Sequence, residues 1–164
     1  MSIFQDWGSN KRNIKGRLIL INYRFARLVR NYKILLFFFF WYLILYKIIT
    51  EWIICVELPW GAKIGPGLAL YHGHALVVHP DVIIGSNCIL RQSTTIGNKQ
   101  ENGGGYIKQC PIIGNNVDIG SNVCIIGDIT IGDNVKIGAG SVVVKSVPAN
   151  SVVVGNPGKI IKTL

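Results

Sequence analysis

All three histidines of this 164-residue chain fall in one stretch, LYHGHALVVHP, from Leu70 to Pro80. His72, His74 and His79 could bind a metal together, supply a general base near neutral pH, or simply pack. Four thiols, Cys55, Cys88, Cys110 and Cys124, add possible nucleophiles, but none stands in a CxxC pair or a zinc-finger cluster. They read as free thiols of a reducing compartment. Nothing around Cys110 suggests a lowered thiol pKa, so covalent catalysis through it is not expected.

What positions these groups is a repeat. Ile113, Ile119, Ile125, Ile131, Ile137 and Val143 stand six apart, and Val117, Val123, Ile129, Val135 and Ser141 follow the first five by four residues. An earlier series, Leu58, Ile64, Leu70 and Leu76, reads as slipping by two residues near His79–Pro80 and resuming at Ile84, Leu90 and Ile96. Each hexapeptide predicts a short strand and a turn, and three close one triangular coil around a continuous aliphatic column. About five coils fit between Leu58 and Val147. In this register His72 points outward, His74 takes an inward slot, and His79 lies near a turn. His72 and His74 then face opposite sides of the wall and share no ion, so no metal is expected. The polar, glycine-rich segment 98–110 interrupts the rhythm and predicts an ejected functional loop.

The first third differs. Residues 1–57 carry a net charge of +6 and residues 58–164 only +3. A helix with a cationic face is predicted over residues 14–33, followed by the uncharged run ILLFFFFWYLILY (34–46). Thirteen helical residues reach about 20 Å, short of the ~30 Å hydrocarbon core, and Lys47 and Glu51 interrupt before the apolar run resumes at Trp52–Val56. The expected role is an anchor lying in the membrane interface, competing with a helix pair buried in the protein or against a neighbouring subunit. Four consecutive phenylalanines cannot all hide on one face. A secretory signal is not expected. Cations interleaved with long apolar runs make nucleic acid a poor partner. The division expected is 1–57 helical and membrane-associated, 58–164 repeat domain.

The repeat followed by GAGSVVVKSVPANSVVVGNPGKII (138–161) resembles the left-handed parallel β-helix acyltransferases. YRFAR (Tyr23–Arg27), VELPWGAKIGPGLALYHGHALVV (56–78), the loop and CPIIG are similar to the serine acetyltransferase branch. KIITEWIICVEL (47–58) and the length resemble the bacterial colanic acid and exopolysaccharide O-acetyltransferases. The fold class implied is mainly β, a left-handed parallel β-helix with an N-terminal α-helical region. The resemblance implies His72 as general base with Glu57 as its carboxylate partner, so that the acceptor hydroxyl attacks the thioester of acetyl-CoA directly. Substrate contacts fall on Tyr71, Gln109, Cys110 and His74. Cofactor contacts fall on Gly120, Ala139, Gly140, Lys145, Asn156, Pro157 and Lys159. It also implies a homotrimer with acetyl-CoA between subunits.

The departures from the serine enzymes bear on the acceptor. Tyr71 stands where they have a serine-binding Asp, and Gln109-Cys110 where they have Arg-His. A free amino acid needs a cation and an anion, and neither position supplies one. The expected acceptor is therefore a sugar hydroxyl of exopolysaccharide or capsule, with the enzyme peripheral on the cytoplasmic face of the inner membrane. Serine O-acetylation and an inert hexapeptide scaffold are the alternatives.

Overall fold

The computed structural model describes residues 2–99 and 109–164. Most of the interrupting segment, residues 100–108, lies outside them, so its expected role as an ejected functional loop is not described. The repeat forms a parallel solenoid with three faces. The first face stacks β1 (Val56–Glu57), β4 (Leu76–Val78), β7 (Thr95–Gly97), β10 (Cys124–Ile126) and β13 (Val142–Val143). The second stacks β2 (Lys63–Ile64), β5 (Ile83–Ile84), β8 (Ile112–Ile113) and β11 (Thr130–Ile131), with Val147 bridging to Ile131. The third stacks β3 (Ala69–Leu70), β6 (Ile89–Leu90), β9 (Asp118–Ile119), β12 (Lys136–Ile137) and β14 (Ser151–Val154), and ends on β15 (Lys159–Thr163), which runs antiparallel. The first strand thus belongs to the solenoid, which starts two residues before the expected boundary at Leu58.

The six-residue series fills the inside. Ile64, Ile84, Ile113 and Ile131 form one buried column, and Leu70, Leu90, Ile119 and Ile137 another. Burying aliphatic side chains in such stacks is the main source of stability, since each coil contacts only its neighbours. Cys88 is buried in the core and Cys124 half-buried in the wall.

The register corrects the placement of the two-residue slip. Val56 opposes Leu76, a step of twenty residues, whereas Val78 opposes Ile96, a step of eighteen. The extra pair therefore lies between Leu70 and Leu76, not at His79–Pro80. Leu76, not His74, takes the buried slot, and Tyr71–Ala75 bulges from the edge joining the third face to the first. Three of its residues have left-handed backbone: His72 (φ 65°), Gly73 (φ 42°) and Ala75 (φ 49°). Such strain at non-glycine residues concentrates where function needs it.

The edge joining the second face to the third carries asparagines in the same left-handed conformation, at Asn87, Asn116, Asn134 and Asn150. Asparagine tolerates it better than other β-substituted residues. Asn116 donates to Asn134 Oδ1 at 3.1 Å and Asn134 to Asn150 Oδ1 at 2.8 Å.

The N-terminal region covers the open first coil. Helix α1 (Ile14–Asn31) starts on Asn13, whose side chain accepts from Gly16 N at 2.8 Å. The expected cationic face is only partly external, because Arg24 is wholly buried. Its Nε lies 2.7 Å from Asp6 Oδ2, and its guanidinium donates to the carbonyls of Ile64 and Gly65, both at 2.6 Å. Tyr23 OH and Arg27 donate to Ala62 O. Asp6 accepts from Leu68 N at 2.9 Å, and Asn10 bonds both Leu68 O and Leu70 N. The backbone groups that a further coil would have paired are thus met by side chains.

Helix α2 (Lys33–Lys47) continues through a π-helical segment, Ile48–Ile53. Lys47 and Glu51 pair across one turn at 3.8 Å and do not end the helix. The apolar helix spans Lys33–Ile53, 21 residues, long and apolar enough to cross a membrane by length and composition. That overturns the length argument drawn from thirteen residues. α2 packs on α1 through Phe25, which meets Phe39 and Tyr42 edge-on at 5.8 and 4.8 Å. Most of its surface is nonetheless exposed, with Phe37 at 76% and Trp52 at 80%.

Candidate active site

The bulge presents Tyr71, His72 and His74 on its outer side, all exposed. The reading of His74 as a packed inward histidine is therefore corrected: the insertion carries it out. Lys15 Nζ lies 3.0 and 2.9 Å from the two ring nitrogens of His74. Desolvation lowers the Lys15 pKa from its ordinary value, opposed by the charge of a Cys55 thiolate. Gly73 faces inward, close to Ile19 and Leu70, where a side chain would crowd both.

The bulge forms one wall of a cleft of about 670 Å³. The other wall is the turn-rich segment before α1, including Asn10, Lys11, Arg12 and Asn13, together with Lys15. Asn13 Nδ2 donates to Leu70 O at 2.5 Å, tying this segment to the strand that leads into His72. Among the described residues, three cations line the cleft and no Asp or Glu does. Sequence reasoning missed this segment, because its anchors are single long-range bonds without periodicity.

Glu57 sits on β1 opposite Val77, five residues beyond His72. It is exposed, and among the described residues no hydrogen bond joins it to His72. Glu57 opens the first coil and His72 follows the third strand of that coil, and the expected dyad is not closed in this structure. Tyr71 instead meets Arg91, whose guanidinium carbon lies 5.7 Å from the ring centre. Arg91 is held by Asp118 and by Ile119 O at 3.0 Å.

Several residues expected to hold the cofactor stack on the same edge as His72. Ser93 N bonds His74 O, Asn122 N bonds Gln92 O, and Gly140 N bonds Ser121 O, tracing the edge from coil to coil. Gly120, Ala139, Gly140, Asn156 and Pro157 fall along it. At Gly120 an added Cβ would lie 2.6 Å from Ala139 N, so only glycine fits. Gly140 (φ +71°) has open space where a side chain would be. Lys159 is exposed at the start of β15. Lys145 departs from the set: it follows β13, on the edge joining the first face to the second.

Gln109 and Cys110 belong to that same other edge. Within one chain they are separated from His72, so a single subunit does not assemble the expected acceptor residues. Cys110 is buried, with Sγ 3.1 Å from His79 Nδ1, which also accepts from Asp81 N at 3.2 Å. Burial, and then the negative charge of Asp81, push the Cys110 thiol up. A raised pKa disfavours the thiolate that a nucleophile needs. The pairing of His79 with Cys110 was not foreseen, since they lie 31 residues apart. His79, Asp81 and Cys110 bring three potential ligand atoms within 4.8 Å of one another, a different set from the HxH pair considered in the sequence.

A strained histidine on the edge of a hexapeptide solenoid, above a column of small residues, defines a class: the hexapeptide-repeat acyltransferases. Comparison with known proteins narrows this. The family model described as bacterial transferase hexapeptide (six repeats) matches residues 110–145. The chain is 45% identical over 118 residues to the protein of Escherichia coli K12 named for colanic acid biosynthesis, the acetyltransferase WcaB, covering 72% of this chain and 70% of that relative. A serine acetyltransferase of Synechococcus elongatus is 41% identical over 106 residues, 65% of this chain and 42% of its own length. Among solved structures, soybean serine acetyltransferase superposes with a TM-score of 0.81 at 29% identity, over 97% of this chain and 67% of that one. The Brucella abortus serine acetyltransferase solved with coenzyme A gives 0.81 at 28% identity, over 98% and 66%. The chain belongs to the hexapeptide transferase family and is an acetyltransferase of the WcaB and serine acetyltransferase type.

Proposed function

We propose that the protein transfers the acetyl group of acetyl-CoA to a sugar hydroxyl in exopolysaccharide or capsule biosynthesis. The observation that carries this is the charge of the cleft beside His72. Lys11, Arg12 and Lys15 face it and no carboxylate does among the described residues. An α-amino acid would find no anion there for its ammonium. The likeness to WcaB points the same way, and the fit to serine acetyltransferases supports acetyl-CoA as donor.

In the reaction, His72 takes the proton of the acceptor hydroxyl as its oxygen attacks the thioester carbonyl. Backbone N–H groups of the edge hold the oxyanion. The C–S bond then breaks, and the imidazolium returns the proton to the departing CoA thiolate. Glu57, at the start of the same coil, is the carboxylate assigned to orient the imidazole. The small residues above His72 let the pantetheine arm lie along the edge. Lys145, Gln109 and Cys110 stand on a different edge, so a homotrimer in which that edge meets the His72 edge of a neighbour would unite both sets. The exposed aromatics of α2 fit contact with the cytoplasmic leaflet.

The test is purified protein with acetyl-CoA and separate acceptors, following free CoA thiol. Turnover on saccharide acceptors that is lost in His72→Ala supports the reading. Turnover with serine and none with saccharides refutes it. Flotation with anionic vesicles tests the membrane contact, and failure to float refutes that part.

A further inference from the structure

A second cavity adjoins the cleft. It lies between α1 and α2, has a volume of about 280 Å³, and is walled by apolar residues such as Leu18, Ile19, Leu45 and Ile49. The two cavities share Lys15. Ile19 in the groove touches the space beside Gly73, so the groove runs up to the His72 bulge. Its mouth opens among exposed side chains: Leu18 at 55% and Leu45 at 41% lie beside the uncovered aromatic surface of α2. The order along the surface is an apolar groove, then Lys15, then a cationic cleft, then an imidazole.

We infer that this order is a binding site for a lipid phosphate, with the acceptor sugar attached to the phosphate group of a polyprenyl chain. This rests on reading His72 as facing the acceptor. The groove takes the first stretch of the chain, Lys15 with Lys11 and Arg12 takes the phosphate, and the sugar reaches His72. Charge complementarity favours a phosphate, because among the described residues no Asp or Glu lines either cavity. Continuity with the apolar groove favours a lipid phosphate over a nucleotide. A nucleoside diphosphate would occupy the cleft and leave the groove without a ligand.

The probe is farnesyl phosphate carrying a benzophenone at its lipid end, with full-length protein in phosphatidylcholine nanodiscs. Irradiation should label peptides from 14–22 and 42–50. Unlabelled farnesyl phosphate should compete, and uridine diphosphate at equal concentration should not. The corresponding benzophenone alcohol should label about tenfold less. Lys15→Met and Leu18→Trp should each reduce labelling about tenfold; Leu18 is exposed and Lys15 half-buried, and unchanged melting checks the fold. His72→Ala should keep labelling while losing acetyl transfer, so failure of the catalytic reading and failure of the lipid site give different results. Equal labelling by the alcohol, equal competition by uridine diphosphate, or crosslinks confined to other peptides would overturn the inference.

Discussion

Asp6→Ala tests whether the N-terminal segment is part of the catalytic fold. Asp6 is buried and accepts three hydrogen bonds: from Arg24 Nε at 2.7 Å, Arg24 Nη2 at 3.2 Å and Leu68 N at 2.9 Å. Its removal leaves Arg24 as a buried charge without a carboxylate partner, and Leu68 N–H without its acceptor. Breaking a buried ion pair by deleting one partner costs about 3–5 kcal/mol; the orphaned amide, about 1–3 kcal/mol by itself, makes that figure a lower bound. At about 2–4 °C per kcal/mol for a chain of this size, Tm should fall by roughly 6–20 °C. Melting would be followed by circular dichroism at fixed protein concentration, because assembly makes Tm concentration-dependent. The double variant Asp6→Ala/Arg24→Met should be more stable than Asp6→Ala alone, since no charge is then stranded. KM for the acceptor should also rise, because residues 8–13 wall the cleft. A loss below about 1 kcal/mol, or a double variant no better than the single, would refute the argument.

Other expectations follow from the same geometry. Cys110→Ser should retain most acetyl transfer. In the unsubstituted protein at about pH 8.5, where an ordinary thiol is half ionised, Cys110 should alkylate more slowly than free cysteine, because its pKa is raised; faster alkylation would contradict the burial argument. Gly120→Val should weaken acetyl-CoA binding and stability together, since the corner has no room beside Ala139; normal KM and Tm would refute this. Ile113→Ala should cost about 2–5 kcal/mol in urea unfolding, as expected of a fully packed column.

The hexapeptide column was legible because burial imposes one period on every coil. Its exception was legible only in part. The spacing announced two extra residues, but the choice between Tyr71–Ala75 and His79–Pro80 depended on whether Leu76 or Val78 leads the second coil. Both are aliphatic, so the pattern could not choose, and the inward reading of His74 followed from choosing wrongly. Strand pairing resolves it through Val78 opposite Ile96. The extension of α2 through Glu51 was hidden for another reason: the Lys47–Glu51 pair looks like an end signal unless its one-turn spacing is noticed. The cation-lined wall of the cleft had no signature at all, because Asp6, Asn10 and Asn13 act through bonds to residues nearly sixty positions away.

The two ends of the solenoid have a further consequence. A stack of identical coils has no intrinsic length, and each end is a template on which another copy could add. Here one end is occupied by Asp6, Asn10, Arg24 and the helices, and the other by a strand that runs the wrong way for parallel addition. Growth into fibrils is blocked chemically at one terminus and by polarity at the other. Variants that loosen Asp6 or remove β15 would therefore lose solubility as well as shape.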